Sequence, residues 1–159
     1  MSEFNNTARI DVVLEKKYLK ELPKYNYDFV IFDCSPTRNR INDAVLCYID
    51  HIILPVQVEI ASVRAILNIY DYLDDLMLPH DLISLIIPNM LDVRTNDGKE
   101  NLKFLKDAFG DTPELITEPI NRRVKITEAG KYGKTVFEYD DKAAEQFFSL
   151  LEKVVDEIA

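Results

Sequence analysis

The chain has 159 residues, of which 47% are hydrophobic and 30% charged, and its 19 basic and 28 acidic side chains give a formal net charge of −9. A chain of this length buries roughly 70% of its unfolded surface, which excludes disordered and disulfide-stabilised miniprotein classes. No apolar run approaches the ~18 residues of a membrane span, and the first residues resemble no signal peptide. We therefore expect one cytoplasmic domain over residues 1–159, with Cys34 and Cys47 as buried thiols.

The first third of the chain alternates between helical and strand patterns. Residues 9–22 carry apolar side chains at spacings of three and four, which predicts a helix that Pro23 ends. Residues 28–33 form a short run of aromatic and β-branched side chains, which is typical of a strand buried on both faces. A second helical stripe follows, made of Ile41, Ala44, Val45 and Tyr48.

Apolar runs at residues 52–56, 82–87 and, more weakly, 115–120 predict further strands. Between the first two of these runs, an apolar stripe from Val63 to Met77 predicts a helix. Strand and helix therefore continue to alternate.

Two more helices complete the pattern. The first covers residues 97–109, with Gly110 placed as a terminating glycine that tolerates positive φ. The second holds its apolar period from residue 144 to residue 158, and Asp140 or Asp141 can cap its start. This alternation predicts an α/β fold with a parallel sheet flanked by helices.

In an open parallel sheet, ligands bind beyond the carboxyl ends of the strands, so the residues after each apolar run are candidate site residues. Asp33 follows the first run, where a carboxylate can hold Mg²⁺ on a nucleotide or its water shell. An aspartate that only caps a turn is the alternative. Residues 89–96 follow a later run and are dense in donors and acceptors, although such loops are commonly just solvated.

The segment from residue 122 to residue 134 is the most basic part of the chain. It has five basic side chains and a single acid, Glu128, which gives a local charge of +4 in an acidic protein. The basic residues are Arg122, Arg123, Lys125, Lys131 and Lys134. We interpret this segment as a loop that contacts phosphate or DNA, with a solvated basic loop as the alternative.

Three other kinds of site lack support. Residues 129–135 end in Gly-Lys-Thr, but a P-loop would need glycine where the chain has Glu128, and none of the four glycines precedes Gly98. Cys47 and His51 could share a helical face, yet the remaining Cys and His spacings match no zinc pattern. No serine or cysteine lies in a recognisable nucleophile motif, so no residue is predicted to be catalytic.

Four motifs in order resemble the ParA/Soj family of plasmid and chromosome partition ATPases, which are related to MinD within the deviant P-loop group. The family's YDxxIIDCPPS resembles residues 27–37, and its ADxVLIPVQxE resembles residues 49–59. Its TMxDxRTN resembles residues 89–96, and its RxVRLSEAxxxGKPVxEYD resembles residues 122–140. The resemblance extends from about residue 27 to the end of the chain.

This resemblance implies ATP and Mg²⁺ as cofactors and assigns roles by position. Asp33 corresponds to the acidic residue that helps to hold Mg²⁺ through water, and Pro36 to the switch loop that senses the γ-phosphate. Asn89 and Asp92 correspond to residues near the nucleotide base. The residues implied in DNA binding without sequence preference are Arg122, Arg123, Lys125 and Lys134.

The chain also departs from the family pattern. Ser35, Asn121 and Thr135 replace family prolines, and Ala65 replaces a usual glycine. The family's N-terminal strand and KGGxGKT loop have no counterpart here, so the resemblance implies a P-loop NTPase fold without them. We predict that this chain cannot hydrolyse ATP by itself. The missing strand leaves two alternatives. The chain is a truncated or split form of a partition ATPase, or it folds with altered packing as an oligomer.

The resemblance implies a partition protein that in its complete form is an ATP-dependent, DNA-binding dimer, associated with the nucleoid and with a ParB-type centromere-binding protein. The alternative is a non-catalytic module without a P-loop that modulates a complete ParA or its centromere-binding partner. A membrane-bound MinD-like role is disfavoured, because the last helix carries more acids than lysines and an anionic bilayer would repel it.

Overall fold

The computed structural model describes residues 19–35 and 37–158, apart from the side chain of Val63. Contacts within the chain divide it into two compact units, Met1–Asp50 and His51–Ala159. The prediction of one domain over residues 1–159 stays a prediction.

The first unit contains a 3₁₀ helix, Leu19–Tyr25, and the short helix α1, Arg40–Leu46. Of the helix predicted over residues 9–22, residues 9–18 lie outside the described residues. The part that is described is a 3₁₀ helix that continues past Pro23, so the predicted end is wrong. Helix α1 begins where the side chain of Asn39 accepts hydrogen bonds from the backbone N–H groups of Ile41 and Asn42, at 2.9 and 3.0 Å.

The strand predicted over residues 28–33 is not formed, which corrects the sequence analysis. Phe29 and Val30 are 46% and 44% exposed, and Ile31 is 90% exposed. A strand exists only where a neighbouring strand accepts its ladder of hydrogen bonds, and no described segment pairs with this one. Hydrophobicity alone therefore gave the wrong element.

The second unit is built on parallel pairing between β1, Ile52–Gln57, and β2, Ile83–Asn89. On the other edge of β2, residues 116–121 run parallel to it through isolated bridges at Ile116 and Asn121. The strands predicted at residues 52–56 and 82–87 are confirmed, and the weak third run is strand-like. Because β2 has neighbours on both edges, its side chains form the centre of the core, with Leu85 and Ile86 fully buried.

Helices flank this sheet, which confirms the predicted α/β fold with a parallel sheet. They are α2 (Ile60–Asp75), α3 (Asn96–Ala108), α4 (Val124–Lys131), α5 (Val136–Tyr139) and α6 (Asp141–Ile158), together with 3₁₀ turns at His80–Leu82 and Pro113–Leu115. Ile66 of α2, Leu105 of α3 and Ala143 of α6 are buried, so each contributes an apolar face to the core. The predicted cap of the last helix is confirmed, because the carboxylate of Asp140 accepts the backbone N–H of Ala143 at 2.8 Å.

Two local expectations are wrong and a third holds in part. Met77 lies beyond the end of α2, at φ 55° and 91% exposed, because the helix ends at Asp75. Gly110 directly follows Phe109, the residue that caps the end of α3, so its place at the helix end is confirmed, but positive φ is found at Gly133, at 65°, and not at Gly110. The segment from residue 122 to residue 134 is not a loop, since it contains α4, which turns Ala129 into the core.

None of the helices in the described ranges combines the length and the hydrophobicity needed to cross a bilayer.

Candidate functional site

The loop that follows residues 28–33 is held in shape by two asparagine side chains. The side-chain amide of Asn42 donates to the carbonyl oxygens of Ser35 and Thr37, at 2.8 and 2.9 Å. Asn39 donates to the same carbonyl of Thr37 at 2.9 Å while it caps α1. Helix α1 therefore fixes the residues on both sides of position 36, although Pro36 itself lies outside the described residues.

Asp33 precedes this loop and is exposed. No group of three or more His, Cys, Asp or Glu side chains within the described ranges could by itself hold a metal ion. Mg²⁺ commonly takes one or two protein carboxylates and completes its shell with waters and substrate phosphates. A single exposed carboxylate fits that manner of binding, in which the nucleotide supplies the other ligands.

The two cysteines are exposed, so the prediction of buried thiols is wrong. Cys34 adjoins the segment that forms no strand, and Cys47 lies just beyond the last residue of α1. Partial burial, with a smaller contribution from the charge of Asp33, raises the pKa of the Cys34 thiol. A raised pKa keeps this thiol protonated at neutral pH, which disfavours a nucleophilic role.

A cavity of about 470 Å³ opens at the carboxyl ends of β1 and β2. Its lining residues come from the ends of the two strands, from the loop after β2, from the start of α3 and from the start of the basic segment. They are Gln57, Val58, Glu59, Met90, Asp92, Thr95, Asp97, Gly98, Asn101 and Arg122. This is the edge of a parallel sheet at which ligands bind in open α/β folds.

The loops after β1 and β2 are hydrogen bonded to each other. The backbone N–H of Val58 donates to the carbonyl of Asn89 at 3.2 Å, and the side chain of Asn101 donates to the carbonyl of Val58 at 3.3 Å. Met90 has φ 56°, and the side-chain oxygen of Asn89 accepts its backbone N–H at 2.8 Å. Asn89 therefore stabilises a left-handed residue that is uncommon for a side chain other than glycine.

Asp92, in the lining of the cavity, forms an ion pair with Arg94. Both of its carboxylate oxygens accept hydrogen bonds from the guanidinium of Arg94, at 2.8 and 2.6 Å, and one also accepts the Arg94 backbone N–H at 3.1 Å. These hydrogen bonds, with smaller effects of the charges of Arg94 and Arg122, lower the pKa of Asp92 to about 2. Asp92 is thus ionised at neutral pH and braces the loop.

The turn from Asp92 leads directly into α3. The carbonyl of Asp92 accepts the backbone N–H and the hydroxyl of Thr95, at 3.2 and 3.0 Å, and the Thr95 hydroxyl then accepts the backbone N–H of Gly98 at 3.1 Å. A Cβ atom on Gly98 would lie 2.5 Å from the carbonyl oxygen of Asp92. Only glycine allows the helix and the turn to approach so closely.

The structure brings Arg122 together with Asp92 in the lining of the cavity, although the sequence analysis assigned these two residues to different roles. Asn89, predicted beside Asp92, is the last residue of β2 and does not line the cavity. The backbone N–H of Arg122 donates to the carbonyl of Leu91 at 2.8 Å, so Arg122 is anchored to the loop after β2. Its side chain is exposed and lines the cavity. Arg122 is therefore the residue at which the cavity and the basic segment meet.

The other basic residues are exposed but differ in their contacts. The ammonium of Lys125 lies 2.9 Å from the carboxylate of Glu128 and 5.6 Å from the ring centre of Tyr139, whose hydroxyl also donates to Glu128 at 3.2 Å. The hydrogen bond from Lys125 lowers the pKa of Glu128. Lys125 is thus partly neutralised and ties α4 to α5. Arg123 precedes the first residue of α4, whereas Lys134 lies in the turn between α4 and α5.

Sequence reasoning missed the roles of Arg94, Gly98 and Asn101. The pattern Asp-x-Arg is a signal for the first, because a carboxylate two residues before an arginine can form such a turn. Asn101 contacts Val58, 43 residues earlier in the chain, which no local pattern can reveal. Gly98 approaches the carbonyl of Asp92 only because the turn folds back onto α3, and the sequence does not show this either.

The first half of the chain matches the model of a protein family described as AAA domain, over residues 1–81. The sporulation initiation inhibitor protein Soj of Bacillus subtilis is 30% identical over 139 residues, which cover 84% of this chain and 54% of that protein. The chromosome partitioning protein ParA of Caulobacter vibrioides is 26% identical, over 74% of this chain and 45% of its own length. The chromosome-partitioning ATPase Soj of Treponema pallidum is 27% identical, over 81% and 51%.

The chain thus spans about half the length of the curated relatives it matches.

Proposed function

Because this chain belongs to the AAA domain family, within its ParA and Soj group, we propose that it acts in the partition of plasmid or chromosomal DNA. Relatives named for chromosome partitioning support this role. The complete protein in this proposal is a dimer that binds ATP and then DNA, and it works with a ParB-type centromere-binding protein in the cytoplasm, on the nucleoid.

The single observation that carries the proposal is the position of Arg122, which belongs both to the cavity at the strand ends and to the basic segment. In this proposal the cavity takes the base of the nucleotide. Its charged lining is three carboxylates, Glu59, Asp92 and Asp97, and one guanidinium. Such a lining would repel a triphosphate, while its carboxylates and amides can accept from an exocyclic amine.

Within the first unit, Asp33 would help to hold Mg²⁺ through water when a nucleotide is bound, and Pro36 would belong to the switch loop that follows it in the sequence. Bound Mg²⁺ neutralises the phosphate oxygens and orients the γ-phosphate. A P-loop normally supplies the backbone amides and the lysine that hold the phosphates, and the 159 residues contain no such motif. We therefore propose that this chain alone does not hydrolyse ATP.

DNA would bind to the exposed cations of the basic segment, by contacts to phosphates that do not depend on sequence. We propose Arg123 and Lys134 as the principal contacts, because both are exposed, Arg123 at the start of α4 and Lys134 in the turn between α4 and α5. Arg122 would contribute from the cavity edge. Lys125 would contribute less, since Glu128 already balances its charge.

The test is binding of the 159-residue chain to a non-specific DNA duplex, measured by fluorescence anisotropy over a range of salt concentrations. The variant Arg123→Ala/Lys134→Ala removes two cations from the basic segment. The matched control, Lys99→Ala/Lys103→Ala, removes two exposed lysines from α3 and changes the net charge equally.

Each phosphate contact made on binding releases about one counterion, and this number sets the slope of the logarithm of the binding constant against the logarithm of the salt concentration. We therefore expect the first variant, which lacks two contacts, to lower this slope by about 2 and the affinity by about tenfold. The control should stay close to the parent chain. Equal losses in both variants would refute the assignment, since they would reflect net charge alone. Absence of DNA binding by the parent chain would favour the non-catalytic module.

A further inference from the structure

Helix α6 carries an apolar stripe that the rest of the described chain leaves uncovered. Phe148, Leu151 and Val155 follow one another at spacings of three and four, so they lie on one side of the helix. They are 55%, 49% and 47% exposed. The core buries Ala143 and Ala144 near the start of the helix. Ala144 lies four residues before Phe148 on the same side, so the stripe continues this side of α6 into a part that the described chain leaves exposed.

The stripe has a definite extent. It rises about 10 Å along the axis from Phe148 to Val155, or two helical turns. Phe137 of α5 lengthens it, because its ring packs edge-on against Phe148 with centroids 5.3 Å apart and is itself 41% exposed. At the other end Leu151 and Val155 line a shallow depression of about 520 Å³.

One edge of the stripe is a row of carboxylates. Asp141, Glu145, Glu152 and Asp156 are spaced by four, seven and four residues, so they form a second line beside the first. Glu152 lies four residues after Phe148 and three before Val155, and it lines the depression together with Asp156. The ammonium of Lys153 contacts the carbonyl of Glu114 at 2.7 Å and does not neutralise this edge.

We propose that this stripe docks a basic amphipathic helix of a partner protein. An apolar groove of two turns accepts the apolar face of a helix, through anchor residues at spacings of three and four. The row of acids requires that the incoming helix carry Lys or Arg beside its apolar residues. The combination defines the partner by chemistry, as a helix with Leu-type residues on one face and cations along one flank.

The charges disfavour a second copy of this chain and an anionic bilayer as occupants of the stripe. In a two-fold pair of copies the same patch meets itself, which would set the acidic row of one copy against that of the other. An anionic bilayer would be repelled by the same row.

The test uses the full 159-residue chain and a labelled model helix of about 15 residues, with leucines on one face and lysines beside them. A second peptide with glutamates in place of the lysines is the control ligand. Binding is measured by anisotropy, and the site is mapped by NMR chemical shifts. We expect binding of the lysine peptide alone, shifts centred on α6, and weakening with added salt.

Two matched pairs of variants localise the interaction. Glu152→Gln/Asp156→Asn should weaken binding about tenfold, whereas Glu100→Gln/Asp107→Asn on α3 should change it less than about twofold although it removes the same charge. Leu151→Ala should also weaken binding, whereas Met77→Ala, on the 91% exposed side chain, should not.

Three results would overturn the proposal. Equal weakening by the two charge variants would mean that net charge alone attracts the peptide. A solution mass of two chains that Leu151→Ser reduces to one would place a second copy on the stripe. Binding to phosphatidylglycerol vesicles that Leu151→Ser abolishes would place a bilayer there. Circular dichroism of each variant identifies any loss of fold.

Discussion

Replacing Gly98 by alanine should destabilise the chain, although alanine favours helices. Gly98 is the third residue of α3, where its backbone N–H is capped by the Thr95 hydroxyl at 3.1 Å. An added Cβ would lie 2.5 Å from the carbonyl oxygen of Asp92 and 3.0 Å from the Thr95 hydroxyl. The first of these contacts is with backbone, which cannot rotate away.

The magnitude follows from the distance. Ordinary contact begins at 3.4 Å, so the turn and the helix must separate by about 0.9 Å. Such overpacking costs about 1–3 kcal/mol, while the change from glycine to alanine within a helix gains about 0.5–1 kcal/mol. The mid-range values of these two effects differ by about 1 kcal/mol, so we expect a net loss of about 1 kcal/mol in the free energy of unfolding.

The chain offers a matched control in Gly130→Ala. Gly130 lies within α4, and a Cβ there would meet no atom within 4 Å. This variant should be more stable than the parent by about 0.5–1 kcal/mol. Urea denaturation of the two variants gives both values, as midpoints that shift in opposite directions. If Gly98→Ala were as stable as Gly130→Ala, the close approach at Asp92 would not exist.

Three further predictions follow from single contacts. The pKa of Asp92, about 2 because of its hydrogen bonds to Arg94, should rise toward 3.8 in Arg94→Ala; a carboxyl carbon titration by NMR that gave the same value in both chains would contradict this. Because the folded pKa is depressed, the stability that this pair contributes is complete above pH 3.8 and is lost as the pH falls toward 2. Gln146→Ala removes the acceptor of the Asn121 backbone N–H, 2.9 Å away, and should lower the unfolding free energy by about 1–2 kcal/mol in a denaturant titration, whereas an unchanged midpoint would mean that water replaces it. Thr135→Ala removes one half of the capping box of α5 and should cost about 1 kcal/mol in the same assay, with no loss expected if the cap is unimportant.

The elements that the sequence predicted correctly are those with long or strongly apolar patterns. Strands β1 and β2 are nearly continuous apolar runs, and α6 keeps one period over 18 residues. In β2 the residues of the apolar run are largely those that the core buries. In α6 the period predicts the helix correctly, although Phe148, Leu151 and Val155 stay about half exposed.

The errors arise where a pattern depends on a partner elsewhere in the chain. Residues 28–33 read as a buried strand, yet Ile31 is 90% exposed because no described strand pairs with this segment. The basic segment was interpreted as a loop because α4 has only eight residues and a single buried side chain, Ala129, so its many charged residues show no clear apolar period. Local sequence determines hydrophobicity but not the neighbour that a strand requires.

Part of the candidate site was within reach of the sequence. Asn89 is the last residue of β2 and Asp92 lies in the loop that follows, at the expected edge of the sheet. Their assignment to a nucleotide site stays a prediction. Arg122 was assigned to the basic segment, and its position beside the cavity depends on a hydrogen bond to Leu91, 31 residues earlier. Contacts over such distances arise from strand pairing, which spacing within one segment cannot reveal.

We propose that these 159 residues supply the base side of a nucleotide site and a DNA-binding surface, but not the P-loop amides and lysine that hold the phosphates. Isothermal titration calorimetry of the chain with ATP, with and without Mg²⁺, distinguishes this arrangement from a complete nucleotide site. We expect no binding at micromolar concentrations in either condition. Micromolar, Mg²⁺-dependent binding that Asp33→Ala abolishes would contradict it, because the phosphates would then be held without a P-loop.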